Sequence, residues 1–225
     1  MTLFIKEYDI AKQYNELVFS DNDIKHKIYK NLIGSGRQWQ ERGKIQLDFM
    51  IKAGLKPYHV FIDIGCGPLR AGEYFIRYLN KSCYIGFDYA QGYIDVAKYI
   101  IENNDDLKAK QPSIYLCDQF NLFDECHHTL ADFGIAYSVL NQCQKGYVQA
   151  FFKNMGKSFK SGAKIYAMND STKWYPKWLS DSDLQVTGTY NNLESFGINV
   201  RNTLGNVAAI MVERNDNFLI ELTKQ

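Results

Sequence analysis

Residues 60–72 read V-F-I-D-I-G-C-G-P-L-R-A-G. A short apolar run holding one acid, Asp63, ends on two glycines one residue apart, Gly65 and Gly67. The run is too short for a helix and is closed by turn residues, so it predicts a buried strand. Glycine has no Cβ, so the turn after it takes positive φ and offers bare main chain to whatever binds there. The next apolar run, Cys83-Tyr84-Ile85-Gly86-Phe87, ends in Asp88. That acid falls about twenty residues beyond the glycines, the spacing at which a carboxylate holds ribose hydroxyls in open α/β sheets. Together the two features imply an adenosine-containing cofactor at the strand tips.

A dinucleotide is the rival guest, and its fingerprint is G-x-G-x-x-G. Here Pro68-Leu69-Arg70 follows the second glycine, so the third is missing. That third glycine lets a helix sit close on the strand beneath a pyrophosphate. With Asp63 directly before the turn, a cationic group such as an amine suits the place better. Ribose plus amine without pyrophosphate points to S-adenosylmethionine (SAM).

The segment resembles motif I of the class I SAM-dependent methyltransferases, an acid, one residue, then G-x-G, filled by Asp63, Gly65 and Gly67. Leu69 stands where such enzymes often carry a further glycine, and D-I-G-C-G-P-L-R-A-G resembles a bacterial branch with L-R-x-G after the turn. By this resemblance Asp88 is the ribose acid of motif II and Asp118 the motif III acid that meets the adenine amino group. Residues 132–140, D-F-G-I-A-Y-S-V-L, resemble motif IV, and residues 160–167 resemble the lead into a fifth strand. The likeness covers roughly residues 40 to 170, in order. It places Tyr89, Gln119, Ser138 and Arg70 beside Asp63, Gly65, Gly67, Asp88 and Asp118 in the cofactor-binding set, to which Trp39 of the front section is added as a residue that meets the cofactor's carboxylate or closes the pocket. Arg37, Arg42 and Arg70 are candidates for the cofactor's carboxylate, because arginine matches carboxylate geometry.

Alternation along the chain supports the same architecture. Strands are expected near 59–64, 83–88, 113–117, 133–138 and 163–168, and helices near 70–80, 91–104 and 145–159. Strands alternating with helices give a parallel sheet with helices on both faces. Right-handed crossovers then bring every strand C-terminus to one edge, where ligands bind. In the tail, 198–200, 207–212 and 218–222 have strand character, with Asn215-Asp216-Asn217 as turn chemistry for a closing antiparallel hairpin. Residues 1–56 show no strand signal. Helical spacing over 5–19 and 39–53, broken at Gly34-Ser35-Gly36, predicts an N-terminal helical cap belonging to the same domain as residues 57–225. The expected fold is thus a seven-stranded, mostly parallel Rossmann-like α/β sheet with this cap and a C-terminal antiparallel hairpin.

The 225 residues fit one domain with a substantial core. A net charge of +1 without a basic block argues against a nucleic-acid partner, which calls for a positive field. The start lacks a signal-peptide pattern, and no apolar run approaches a membrane span. Five cysteines without a C-x-x-C pair indicate neither a disulfide framework nor a zinc ribbon, and the expected setting is cytoplasmic with reduced thiols. Cys126-His127-His128 lacks finger spacing and reads as loop, so no metal is expected.

Methyl transfer needs a general base only where the acceptor has a proton to lose. Asp170, with Asn169 as orienting amide, is placed for that after the fifth strand; Asp170 equally suits the N-cap of a helix opening at Ser171-Thr172. Asn141-Gln142, after the fourth strand, are candidates for acceptor hydroxyls. Trp174, Tyr175 and Trp178 beside Lys173 and Lys177 suit a sugar ring or an anionic metabolite, or an amphipathic turn. The L-R-x-G resemblance implies a small polar acceptor, an oxygen of a sugar, phospho-sugar or phosphate-like group in a bacterial polysaccharide pathway. A base methyltransferase of nucleic acid and a non-catalytic SAM-binding protein are the alternatives. Against the first, Tyr137 to Asn141 carries no proline, where adenine amine methylation employs an Asn/Asp-Pro-Pro-aromatic loop.

Overall fold

The run around Asp63 forms β1 (Phe61–Ile64) and the run before Asp88 forms β2 (Tyr84–Asp88), both buried along their whole length. The computed structural model describes residues 39–117, 120–126, 129–140, 143, 145–170, 182–190, 200–201 and 217–225. In chain order the remaining elements are α1 (Trp39–Lys52), α2 (Gly72–Tyr78), α3 (Gln91–Glu102), α4 (Asp105–Ala109), β3 (Ser113–Leu116), α5 (Leu122–Glu125), β4 (Ala131–Ala136), α6 (Lys145–Asn154), β5 (Phe159–Asp170), β6 (Leu184–Tyr190), β7 (Val200–Arg201) and β8 (Asn217–Lys224).

The strands form one sheet in the order β3-β2-β1-β4-β5-β8-β6-β7. From β3 to β5 all pairings are parallel. β8 then runs antiparallel to both β5 and β6, and closes the sheet as the hairpin reading expects. Seven strands have four residues or more, and the two-residue β7 adds an eighth at the edge. β8 is the strand expected near 218–222 and β7 overlaps the one expected near 198–200, while residues 207–212 lie outside the described residues; β6, at 184–190, carries no strong apolar run and is a strand the pattern does not predict. β6 pairs because β8 offers it an edge, with a bulge at Thr187 between Val186 and Gly188.

Side chains alternate across the sheet, and each face has its own core. On one face Phe61, Tyr84, Phe133, Ile135 and Tyr166 pack with Phe49 and Met50 of α1, Phe75 and Ile76 of α2, and Ile94, Ala97 and Ile101 of α3. On the other, Ile62, Ile64, Ile85, Phe87 and Ile165 pack with Leu122 of α5 and Val148, Phe151 and Phe152 of α6. The chain is therefore three-layered, with Asp63 on the α1 face.

α1 belongs to the first of these cores. Its Phe49 ring meets Tyr166 of β5 edge-on at 5.0 Å. The helix ends as expected at Gly54, whose φ is +109°, with Leu55 N–H donating to the Met50 carbonyl and Gly54 N–H to that of Ile51. Residues 1–38, including the helical stretch 5–19, lie outside the described residues.

α2 begins at Gly72, two residues later than the pattern predicts. The reason is Leu69, which takes the left-handed conformation (φ 63°) that a leucine ordinarily avoids. Its side chain is fully buried in the α1-side core, and this burial offsets the strain. Leu69→Gly relieves ~1–2 kcal/mol of backbone strain but forfeits the ~2–5 kcal/mol typical of deleting a buried leucine. The variant is expected to be less stable by roughly 2 kcal/mol, measured by urea denaturation.

Candidate ligand site at the strand tips

Strand order reverses at β1, which lies between β2 and β4, so the crevice outside its C-terminus is the switch point of the sheet. The residues that fill it are the D-I-G-C-G turn and the end of β2. Gly65 and Gly67 both have positive φ, +70° and +52°. A Cβ on Gly65 would sit 2.5 Å from Val139 Cγ2, so that position is closed to any other residue. Gly65 N–H and Cys66 N–H both donate to the Phe87 carbonyl at 2.9 Å, which fastens the turn to the tip of β2.

Asp88 completes this fastening. Its Oδ2 accepts from Gly67 N–H at 3.0 Å and its Oδ1 from Ala90 N–H at 2.9 Å. The carboxyl is buried, and burial lifts its pKa from 3.8 to about 6 against the opposing N–H groups of Ala90, Gly67 and Tyr89. Tyr89, the next residue, is half exposed and presents an aromatic ring at the same edge.

Asp63 is equally buried, one strand away. Tyr84 donates its hydroxyl to Asp63 Oδ2 at 2.8 Å. Burial pushes the Asp63 carboxyl up from 3.8 to about 7; the Tyr84 hydrogen bond pulls down, Asp88 pushes up and Arg70 pulls down. A like charge nearby in low dielectric raises a carboxyl in this way. Burial, then Asp63 and Asp88, push the Cys66 thiol far up, so Cys66 is a packing residue and not a nucleophile.

Arg70, just after the glycine turn, is close enough to Asp63 for their charges to interact. Burial lowers its pKa; Tyr137, Arg42 and Asp63 are the neighbouring groups that act on it, Arg42 with like charge. Gly43 of α1 is what lets this happen: a Cβ there would stand 2.2 Å from the Arg70 carbonyl and 2.9 Å from the Tyr74 ring. α1 thus crosses directly over the segment behind the glycine turn and brings Arg42 to Arg70. Trp39, at the start of the same helix, is buried.

At the tip of β4, Ser138 is left-handed (φ 57°), with its Oγ 3.6 Å from Met168 Sδ. Phe120, after β3, is left-handed too. With Leu69 these make three left-handed non-glycine residues after strand ends at this edge; two more, Ser82 and Gln111, precede β2 and β3 at the opposite edge.

Of the sequence-derived set, Asp63, Gly65, Gly67, Arg70, Asp88, Tyr89 and Ser138 come to this one edge. The backbones of Asn169 and Asp170 end β5 on that edge, paired with Phe218 and Asn217. Asp118, Gln119, Asn141, Gln142, Arg37, His127, His128 and the aromatic segment 173–178 lie outside the described residues. Among the described residues, no group of three or more His, Cys, Asp or Glu is placed to hold a metal, and no helix is long and apolar enough to cross a membrane. The five cysteines are free thiols. The residue that sequence reasoning missed is Tyr84. Its signal was a hydroxyl-bearing ring in an otherwise apolar strand, next to a strand that carries a buried acid.

No protein-family model and no curated protein matches the chain. Solved structures do. Magnesium protoporphyrin IX methyltransferase from Synechocystis, with SAM bound, aligns over 97% of this chain and 97% of its own at 12% identity, with a TM-score of 0.63. A SAM-dependent methyltransferase from Clostridium acetobutylicum aligns over 88% and 96% at 10% identity, TM-score 0.60. A TehB-like SAM-dependent methyltransferase from Corynebacterium glutamicum aligns over 81% and 88% at 14% identity, TM-score 0.58. At such identities the likeness is one of architecture: the chain has the Rossmann-like fold of the SAM-dependent methyltransferases.

Proposed function

We propose that the chain is a SAM-dependent methyltransferase acting on a small polar acceptor. The observation that carries this reading is the pair of buried carboxylates, Asp63 and Asp88, flanking a turn with two left-handed glycines at the switch point of the sheet. The donor set fits the cofactor part by part. Asp88 takes the ribose hydroxyls, and the exposed ring of Tyr89 packs on the base. Asp63 meets the ammonium of the amino-acid tail, and Arg70 with Arg42 meets its carboxylate. Gly65 and Gly67 keep the turn free of side chains where the tail passes. Asp118, Gln119 and Ser138 complete the set by their places after the third and fourth strands, and Trp39 at the start of α1 by closing the pocket.

The cofactor would supply an electrophilic methyl group on a sulfonium. The chain's own contribution is placement: holding an acceptor in line is worth on the order of 7–11 kcal/mol in favourable cases. A base adds about 10²–10⁴-fold, and only for an acceptor with a proton to lose. Asp170, oriented by Asn169, is the residue we assign to that task, and Asn141 the one we assign to binding an acceptor hydroxyl, since β5 and β4 end at the crevice edge.

For the acceptor we infer an oxygen of a sugar, a phospho-sugar or a phosphate-like group in a polysaccharide pathway. Its support is the L-R-x-G sequence after the glycine turn. Labelled SAM incubated with nucleotide sugars, phosphorylated sugars and phosphoramidates is expected to give a methylated product; a panel without product removes this acceptor class.

Asp88→Ala is expected to weaken S-adenosylhomocysteine binding by about 1.5–3 kcal/mol, the worth of hydrogen bonds to a charged group, read by calorimetry. An unchanged affinity takes Asp88 out of the ribose role.

The two raised carboxyls set a pH dependence. Both pKa values are higher in the folded chain than 3.8, so their contribution to stability is full at low pH and is lost as pH rises through about 6 and about 7. The melting temperature of the ligand-free protein is expected to fall between pH 5 and 8, and to fall less in Asp63→Asn. Ligand binding favours the ionised acids, so the rise in melting temperature given by S-adenosylhomocysteine is expected to grow over the same range.

A further inference from the structure

Asp63 is held by a contact that the residues after the glycine turn exist to permit. Tyr84 pairs in register with Phe61, two residues before Asp63 on β1, and its ring lies on the same face. From there its hydroxyl reaches Asp63 Oδ2 at 2.8 Å, with both residues buried. The space for that hydroxyl is made by Gly72. A Cβ at Gly72 would lie 2.5 Å from the Tyr84 hydroxyl oxygen and 2.6 Å from Leu69 Cδ2. Leu69, from its left-handed backbone, packs in the same core cluster and lines the same space beside Gly72. The leucine and glycine of L-R-A-G therefore form a socket for the end of the Tyr84 ring.

We propose that Tyr84 is a positioning residue for the cofactor's amino-acid tail: seated by Leu69 and Gly72, it orients the Asp63 carboxylate and keeps it an acceptor for a ligand ammonium. This rests on the reading that such a tail lies over Asp63. A buried carboxylate without an oriented donor turns its acceptor oxygens to whatever is near, or takes up a proton and ceases to attract a cation. Tyr84 opposes both: its hydroxyl holds Oδ2 and pulls the Asp63 pKa down against burial, and the phenol itself stays protonated, because burial, then Asp63 and Cys66, push its own pKa well up. Among the described residues, the other charged and titratable groups around Asp63 are Asp88 at the end of β2, Cys66 and Arg70 in the turn, and, acting on Arg70, Tyr137 after β4 and Arg42 of α1. Tyr84 hydrogen-bonds the Asp63 carboxylate directly through its hydroxyl.

The test compares two ligands that share the nucleoside and differ in the tail. S-adenosylhomocysteine carries the ammonium; 5′-methylthioadenosine lacks the amino-acid portion. Affinities are measured by calorimetry from pH 5.5 to 8.5 for the parent protein, Tyr84→Phe and Gly72→Ala. Tyr84→Phe is expected to lose about ten-fold in S-adenosylhomocysteine affinity at pH 7, to move the pH midpoint of that binding upward, and to bind 5′-methylthioadenosine as the parent does. Gly72→Ala, which crowds the hydroxyl from the opposite side, is expected to show the same selective loss, so the inference does not hang on one variant folding. Equal losses for both ligands, or an unmoved midpoint, would mean that Tyr84 only fills space, and the proposal is overturned. A parent protein that binds 5′-methylthioadenosine but shows no gain from the amino-acid tail also overturns it, while leaving the nucleoside site standing. A parent that binds neither ligand takes down the cofactor reading, and this inference with it.

Discussion

Two carboxylates buried at the tips of neighbouring strands are the constraint around which the site is built. A buried ionised acid is costly unless donors surround it. Asp88 has the Gly67 and Ala90 N–H groups, and Asp63 has the Tyr84 hydroxyl. The Gly67 bond has a second consequence. It ties the left-handed turn after β1 to the end of β2, so the surface that faces a ligand is set before any ligand arrives. Preorganisation of this kind is what lets a site act through orientation.

Satisfying these acids shapes the residues nearby. Gly72 is small so that Tyr84 reaches Asp63, and Gly43 is small so that α1 crosses over Arg70. Leu69 accepts a backbone conformation leucine avoids because its side chain is needed in the same socket. The motif after the glycine turn, which has no pyrophosphate to bind, is explained by what lies beneath it instead. Its glycine serves a side chain from the next strand, whereas a dinucleotide fingerprint spends its third glycine on helix packing.

The other half of the sheet meets the same demand by its own means. Glu221 of β8, buried opposite Tyr166 of β5, accepts from the Tyr166 hydroxyl at 2.7 Å and from Thr187 at 2.9 Å, with Lys164 Nζ at 3.3 Å. Thr187 is the bulged residue of β6, so the irregularity in that strand delivers a hydroxyl to a buried acid. The polar row runs on the face that α1 covers, where Phe49 meets the Tyr166 ring. The helix before β1 is for this reason part of the sheet's own core.

Local pattern was enough for the parallel half of the fold. Four-residue apolar runs that end in turn chemistry, and helical spacing between them, fix β1 to β5 and the long helices, because both periodicities are properties of adjacent residues. The same holds for the glycine turn, Asp63 and Asp88, whose meaning lies in spacing along the chain. β6 was not legible. It has little apolar pattern and becomes a strand only because β8 leaves an edge for it, which is a long-range effect. The socket under Asp63 was not legible either, since Tyr84, Leu69 and Gly72 belong to separate elements and meet only when β2 lies beside β1. Sequence by itself determined which acids and glycines stand at the strand tips; the tertiary structure decided which donors keep those acids in place, because a hydrogen bond across strands depends on register and on the absence of a single Cβ.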